Sequence, residues 1–385
     1  MVEILRNPAL SRTEGAREAH ELLDEAGFED AREAITAWDE YRPTPLVDRA
    51  GLARLLGVDC VWVKDESERF GLGSFKALGG AYAALCVVRD GGSSVTITCA
   101  TDGNHGRAVA WGAKRAGSRC VIYLHEGVSA SRQEAIEELG AETVCVPGTY
   151  DDSFRANLAD AAREGWIVVS DTSQEGRAAI PLTIMQGYRL LVEEALEQLG
   201  DAWPTHVFVQ AGCGGLAAAV YAHIASRQGD RPPMTFVVVE PEAAASLYQS
   251  AKKGRPVAVP GNLDTIMAGL AVGEASAPAW RILGPGADFF LTIPDESIPE
   301  CMRLLAVGAD GDTPVVGGET GVAGLAGLVA VARDGAARGE LGLDARSRVL
   351  LVNTEGDTAP DIYRAIVGRS GREIRAASPA AKVDA

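Results

Sequence analysis

Three observations predict an α/β fold with open, twisted, mostly parallel sheets in two domains. Short apolar runs rich in Val and Ile alternate with Ala-rich amphipathic stretches from about residue 60 onward. Those runs are nearly continuous rather than alternating, the pattern of strands covered on both faces. At 385 residues the chain suits two domains, or one large domain carrying an insertion.

In chain order the strand candidates begin with VWVKD (61–65), SVTITCAT (94–101), RCVIYLH (119–125), ETVCVP (142–147) and WIVVSDT (166–172). They continue with THVFVQAG (205–212), TFVVVEPE (235–242), FFLTI (289–293) and RVLLVNTEG (348–356). GRAVAWGAKRAG (106–117), SRQEAIEELGA (131–141) and DSFRANLADAAREG (152–165) are helix candidates between strands. Residues 85–177 form a compact four-strand α/β unit, inserted into a larger domain made of 1–84 and 178–385. The last stretch, 371–385, lacks an apolar face and is expected to be a loose tail.

Charge and composition exclude several classes of function. The net charge of -17 argues against nucleic acid and anionic membrane as partners. No apolar run approaches the roughly 20 residues of a membrane span, and the first residues show no signal-peptide core. The seven cysteines are scattered, without a CxxC pair, and most lie in apolar runs; a reducing, cytoplasmic setting is expected. The five histidines follow no metal-binding spacing, and neither GxSxG nor a Walker-type loop occurs.

Chemistry is suggested first by FGLGSFKALGGAYA (70–83), where Lys76 stands in a stretch from Phe70 to Val88 without one acid. A lysine so placed is a lone surface cation or an amine kept for reaction. GCGGLAAA (212–219) follows a strand and opens an Ala-rich helix, so its backbone N–H groups can converge on an anion. With Glu240 closing a later strand, the same turn also fits a dinucleotide fingerprint. ATDGNHG (100–106) ends a strand in Thr101, Asp102 and Asn104, a shelf for a flat ligand or a set of helix caps. His105 beside them is expected to be a packed, hydrogen-bonded histidine. SDTSQEG (170–176) brings Asp171 to another strand end, as a second acid or a cap. GGETG (317–321) offers Glu319, and NTEGDT (353–358) offers Asn353, Thr354, Glu355 and Asp357 to a ring nitrogen or a substrate, unless each stretch is an ordinary solvated loop.

A lysine beside a Gly-rich turn, an Asn shelf, an anion-binding turn and a polar strand end meet the needs of pyridoxal 5'-phosphate. The lysine would form a Schiff base, and its flanking glycines would leave room for the ring and the approaching substrate. A dinucleotide reading leaves Lys76, Asp102 and Asn104 without roles.

These motifs resemble those of the fold-type II pyridoxal-phosphate enzymes, the group of the serine and threonine dehydratases. YRPTPL (41–46), RFGLGSFKALGG (69–80), QAGCGGLA (210–217) and GGETG carry that resemblance. ATDGNHG, TIMAGLA (265–271) and TEGDT (354–358) are more particularly similar to the diaminopropionate ammonia-lyases. The resemblance implies two α/β domains with the cofactor in the cleft between them, commonly in a homodimer. It also implies elimination from both enantiomers of 2,3-diaminopropionate, to pyruvate and two ammonia. Lys76 carries over as the Schiff-base lysine, Asn104 as the contact to the ring oxygen, and Gly212, Cys213, Gly214, Gly215 and Leu216 as the phosphate loop. Lys76 would serve one face of the substrate and Asp102 the other, with Asp171 as a second acid. Thr354 is a further expected cofactor contact; Ser74, Thr101, Asp102, Asp171 and Glu319 are expected substrate contacts. Gln174 departs from the pattern, standing where an aromatic residue is expected. A related elimination or β-replacement on serine, threonine or hydroxyaspartate-like amino acids is the alternative.

Overall fold

A computed structural model describes residues 3–92, 94–101, 103–173 and 178–377. Its strands, in chain order, are β1 (Glu3–Arg6), β2 (Leu46–Asp48), β3 (Cys60–Asp65), β4 (Thr96–Ala100), β5 (Arg119–His125) and β6 (Glu142–Val146). They continue with β7 (Ile167–Val168), β8 (His206–Gln210), β9 (Thr235–Pro241), β10 (Phe289–Ile293) and β11 (Arg348–Asn353). All nine apolar runs named from the sequence form strands. The additional pair, β1 and β2, are four and three residues long. Each is an antiparallel edge strand, too short to leave a periodic signal.

The chain divides into two compact units. The first comprises Met1–Leu22, Pro43–Glu68 and Leu191–Ala385. Among the described residues its sheet has the order β1-β10-β9-β8-β11-β3-β2, parallel except at its two edges. Inward-facing Phe208, Val237, Val239, Leu291, Val349 and Leu351 are buried in one core with helix residues such as Met302, Leu325 and Leu328. From β8 the chain moves outward through β9 and β10, then returns to place β11 on the other flank of β8. The order therefore reverses between β8 and β11, and the carboxyl ends of those strands flank a crevice of the kind that takes ligands.

The second unit comprises Leu23–Arg42 and Arg69–Leu190. Its described sheet is wholly parallel, in the order β6-β5-β4-β7. Here the reversal falls between β4 and β7. Close helix packing holds this unit together. A Cβ on Gly112 would lie 2.5 Å from Ala81 Cα, one on Gly79 2.5 Å from Tyr188 Cε1, and one on Gly187 2.0 Å from Leu78 O. Arg189, buried, donates to Leu23 O at 2.9 Å and Asp24 O at 2.8 Å, tying the 23–42 segment to the same unit.

These contacts correct the expected domain limits. The boundary at 84/85 falls inside the helix Lys76–Gly91, which stays whole because both its faces are packed. Lys76 thus belongs with the four-stranded sheet rather than with the larger unit. The tail is corrected as well, because Gly371–Ala377 is a helix. Ile374 supplies a buried anchor, Ser370 N donates to Glu373 at 2.7 Å, and Arg375 meets Asp357 at 3.0 Å. Residues 378–385 lie outside the described residues.

The helix packing is directly testable. Gly187→Ala is expected to destabilise the protein by at least about 1–3 kcal/mol, because its new methyl meets a backbone carbonyl. Gly339→Ala, with nothing within 4 Å of the new Cβ and mid-helix, is expected to be neutral or slightly stabilising. Thermal unfolding followed by circular dichroism compares the two.

Candidate active site

The second unit carries Lys76, the lysine singled out in the sequence. Phe70, Gly71 and Gly73 all take positive φ, at 53°, 70° and 78°, so the chain coils tightly before entering the helix that Lys76 begins. Only the glycines do so without steric cost. Phe70 is held by stacking on Trp111 at 5.1 Å and by an edge contact with Trp38 at 5.3 Å. Gly79 and Gly80, which follow the lysine, face Tyr188, Ile184 and Ala108. Those two glycines serve helix contact, which corrects the expectation that they leave room for a ring.

Lys76 lies at the positive end of its helix dipole, where a cation is disfavoured. The offsetting anion is Asp171, three residues beyond the end of β7, with Oδ2 2.5 Å from Lys76 Nζ. Burial would raise the Asp171 carboxyl, but the charge and hydrogen bond of Lys76, together with His105 and a backbone N–H, outweigh that and hold it well below the usual carboxylate range. Asp171 is therefore an anion at any working pH. Both side chains keep about a fifth of their surface exposed (20% and 22%), so the pair can be reached.

On the other flank of the reversal, β4 leads into the helix Asn104–Arg115, placing Asn104 at its first turn. Thr101 caps that helix: its Oγ1 accepts from Gly103 N at 3.2 Å and Gly106 N at 3.3 Å. Ser74, also buried, precedes Lys76 by two residues. His105 donates from Nε2 to Val169 O at 2.9 Å, since a carbonyl oxygen only accepts, while its Nδ1 is buried with no hydrogen-bond partner among the described residues. Burial lowers its pKa, opposed by the charge of Asp171. It is the packed, hydrogen-bonded histidine expected. Asp102 and Gln174 lie outside the described residues.

The first unit carries the anion turn. Gly214 has φ +90° and opens the helix Gly215–Arg227, and among the described residues no side chain caps that end. A Cβ on Gly212 would meet Gly269 O and Leu270 Cα at 3.2 Å, so the turn hugs its neighbour and presents backbone only. The first N–H groups of a helix lack intrahelical acceptors, and an uncapped, Gly-lined start of this length fits a phosphate. Cys213 and Leu216 complete the loop, both buried. Glu240, the acid of the dinucleotide fingerprint, has another role. Its carboxylate accepts from Leu247 N at 2.8 Å and Tyr248 N at 2.7 Å, capping the next helix, while burial pushes its pKa up to about 8.

Across the reversal, β11 ends at Asn353, with Thr354 just beyond. Asn353 donates to Asp65 Oδ1 at 2.7 Å and Val316 O at 2.9 Å; Glu355 accepts from Thr320 N at 3.1 Å; Asp357 holds Arg375. Thr354 is buried, and its Oγ1 accepts from Gln210 Nε2 at 3.0 Å, leaving its own hydrogen to give. That hydrogen and the uncapped turn fit a heterocycle bearing a phosphate. Glu319 is buried in the adjoining turn. Gln210 was missed in the sequence, although one polar residue closing VFVQ just before a Gly-rich turn was a signal.

Residues 37–355 match the family described as pyridoxal-phosphate dependent enzyme. The diaminopropionate ammonia-lyase of Escherichia coli (strain K12) is 40% identical over 349 residues, 85% of this chain and 87% of the relative. The solved holo diaminopropionate ammonia lyase from Escherichia coli superposes with a TM-score of 0.89 at 37% identity, covering 95% of this chain and 96% of the other. The same enzyme solved with an aminoacrylate-PLP azomethine reaction intermediate gives a TM-score of 0.88 at 37% identity, covering 95% and 97%.

The neutral, buried state of His105 has a pH signature. Its pKa is depressed on folding, so the unfolded chain binds the extra proton as pH falls below the ordinary 6.5. Stability is expected to drop between pH 7 and pH 5, His105 contributing up to about 1.4 kcal/mol per pH unit. His105→Gln keeps a donor toward Val169 O but cannot titrate. Urea unfolding across this range is expected to show a shallower drop for that variant.

Proposed function

The chain belongs to the pyridoxal-phosphate dependent enzymes, and on that premise we propose that it eliminates ammonia from 2,3-diaminopropionate. Pyruvate and two ammonia are the products, and both enantiomers are substrates. The observation that carries the choice of substrate is the 2.5 Å contact between Lys76 Nζ and Asp171 Oδ2.

Bound pyridoxal phosphate supplies an aldehyde that takes a primary amine, and a ring that accepts electron density from the α-carbon. Lys76 Nζ is the amine that holds it, the Gly212–Leu216 backbone N–H groups receive its phosphate, and Asn104 and Thr354 hold its ring. With Nζ turned to the cofactor, Asp171 would lose the ammonium that now stabilises its negative charge. The β-ammonium of a diamine restores that ion pair; the hydroxyl of serine does not. Held protonated there, the β-nitrogen departs as neutral ammonia with the electron pair of the C–N bond. Lys76 Nζ would remove the α-proton from one face. Asp102 serves the opposite face, and Ser74, Thr101 and Glu319 are substrate contacts.

The working enzyme is a cytoplasmic homodimer in this reading. All seven cysteines are free, as a reducing compartment requires, and among the described residues no helix is long and apolar enough to cross a membrane. The dimer rests on the family resemblance, and sedimentation velocity tests it.

A panel of both diaminopropionate enantiomers, serine and threonine, scored for pyruvate and ammonia, tests the assignment. Two ammonia per pyruvate are expected from the diamines; preferred turnover of serine would overturn it. Asp171→Asn is expected to lower kcat/KM for diaminopropionate about a hundredfold or more, and to cost serine much less. Lys76→Ala is expected to lose the visible absorption of the covalently held cofactor together with turnover.

A further inference from the structure

Gln210, the last residue of β8, places a fully buried amide beside Thr354. Its Nε2 lies 3.1 Å from Thr320 O, 3.0 Å from Gly321 O, 3.1 Å from Val352 O and 3.0 Å from Thr354 Oγ1. Three of these acceptors are carbonyl oxygens, so the amide nitrogen must face the cluster, and its two hydrogens are shared among four acceptors. The amide oxygen points away, 3.1 Å from where a Cβ on Gly324 would stand, so the glycine leaves space for it. An amide nitrogen has no lone pair to offer, so Thr354 Oγ1 can only accept in this contact. Among the described residues, no acceptor takes the Thr354 hydroxyl hydrogen.

We propose that Gln210 is a positioning residue that fixes the Thr354 hydroxyl as a hydrogen-bond donor, aimed at the ring nitrogen of the cofactor. The inference rests on the assignment of Thr354 as a cofactor contact. Without Gln210 the hydroxyl is free to rotate and to give its hydrogen to a carbonyl that Gln210 now serves. A ring nitrogen then meets an oxygen lone pair in part of the population. Gln210 itself touches neither cofactor nor substrate in this scheme.

The experiment is a double-mutant cycle on full-length protein, read as the dissociation constant for pyridoxal phosphate titrated into the apoenzyme. Apoenzyme Tm and the visible absorption maximum are recorded alongside. Gln210→Met and Thr354→Val are each expected to weaken cofactor binding about fivefold to tenfold, the worth of one buried hydrogen bond. The double variant is expected to bind no more weakly than Thr354→Val, because the hydroxyl that Gln210 orients is already gone. Thr354→Ser keeps the hydroxyl and is expected to keep its dependence on Gln210. Gln210→Glu, of the same shape, replaces the amide donor by an acceptor that draws the Thr354 hydrogen inward. It is expected to weaken binding at least as much, and it supplies the cycle if Gln210→Met does not fold. Equal fold-losses from the Gln210 change in the parent protein and in the Thr354→Val variant would overturn the proposal and leave Gln210 a structural residue. Unchanged affinity and absorption in either Gln210 variant would also overturn it. If Thr354→Val itself binds the cofactor normally, the assignment of Thr354 fails first, and the inference falls with it.

Discussion

An ammonium at the N-terminal end of a helix is disfavoured by the helix dipole, and the contact between Lys76 and Asp171 offsets that cost. The two residues are 95 apart in sequence, so the pairing constrains everything between them. The helix Lys76–Gly91 must lie where the end of β7 can reach its first turn. Small residues make this possible, because Gly80 and Ala81 meet Ala108 and Gly112, and Gly79 and Leu78 meet Tyr188 and Gly187. A glycine-rich lysine helix is thus a packing solution before it is a chemical one.

Both units solve the problem of placing polar groups in the same way. Each has a parallel sheet whose strand order reverses once, between β4 and β7 in one and between β8 and β11 in the other. At such a reversal the connections leave in opposite directions, and the strand ends between them stay uncovered. Asn104 and Asp171 flank one reversal; the Gly212–Leu216 turn and Thr354 flank the other. The polar residues at each reversal are therefore collected by topology rather than by proximity in the chain.

Donor and acceptor accounting then separates residues that hold the protein from residues left for a ligand. Glu240 caps a helix, and Asn353, Glu355 and Asp357 bind neighbouring turns. Asp171 pairs with Lys76, and both side chains keep about a fifth of their surface exposed. Around Thr354 the accounting is sharper, because Gln210 meets its lone pair and leaves its hydrogen.

Much of this protein was legible from local features alone. Apolar runs announce buried parallel strands, Gly212–Gly215 announces an anion turn, and an acid-free stretch from Phe70 to Val88 singles out Lys76. These are properties of a few consecutive residues, and a single chain displays them. The edge strands β1 and β2, the helix Gly371–Ala377 and the limits of the two units escaped such reading. They depend on pairing and packing partners far away in sequence, which leave no periodic trace. Gln210 escaped for the same reason, since its amide acts on carbonyls more than a hundred residues distant. The sequence by itself determined the fold class and the family. Only the tertiary structure decided strand order, which acid meets the lysine, and which hydroxyl keeps a hydrogen to give. Hydrophobicity and backbone preference act locally, whereas hydrogen-bond satisfaction is settled by whatever the fold brings alongside.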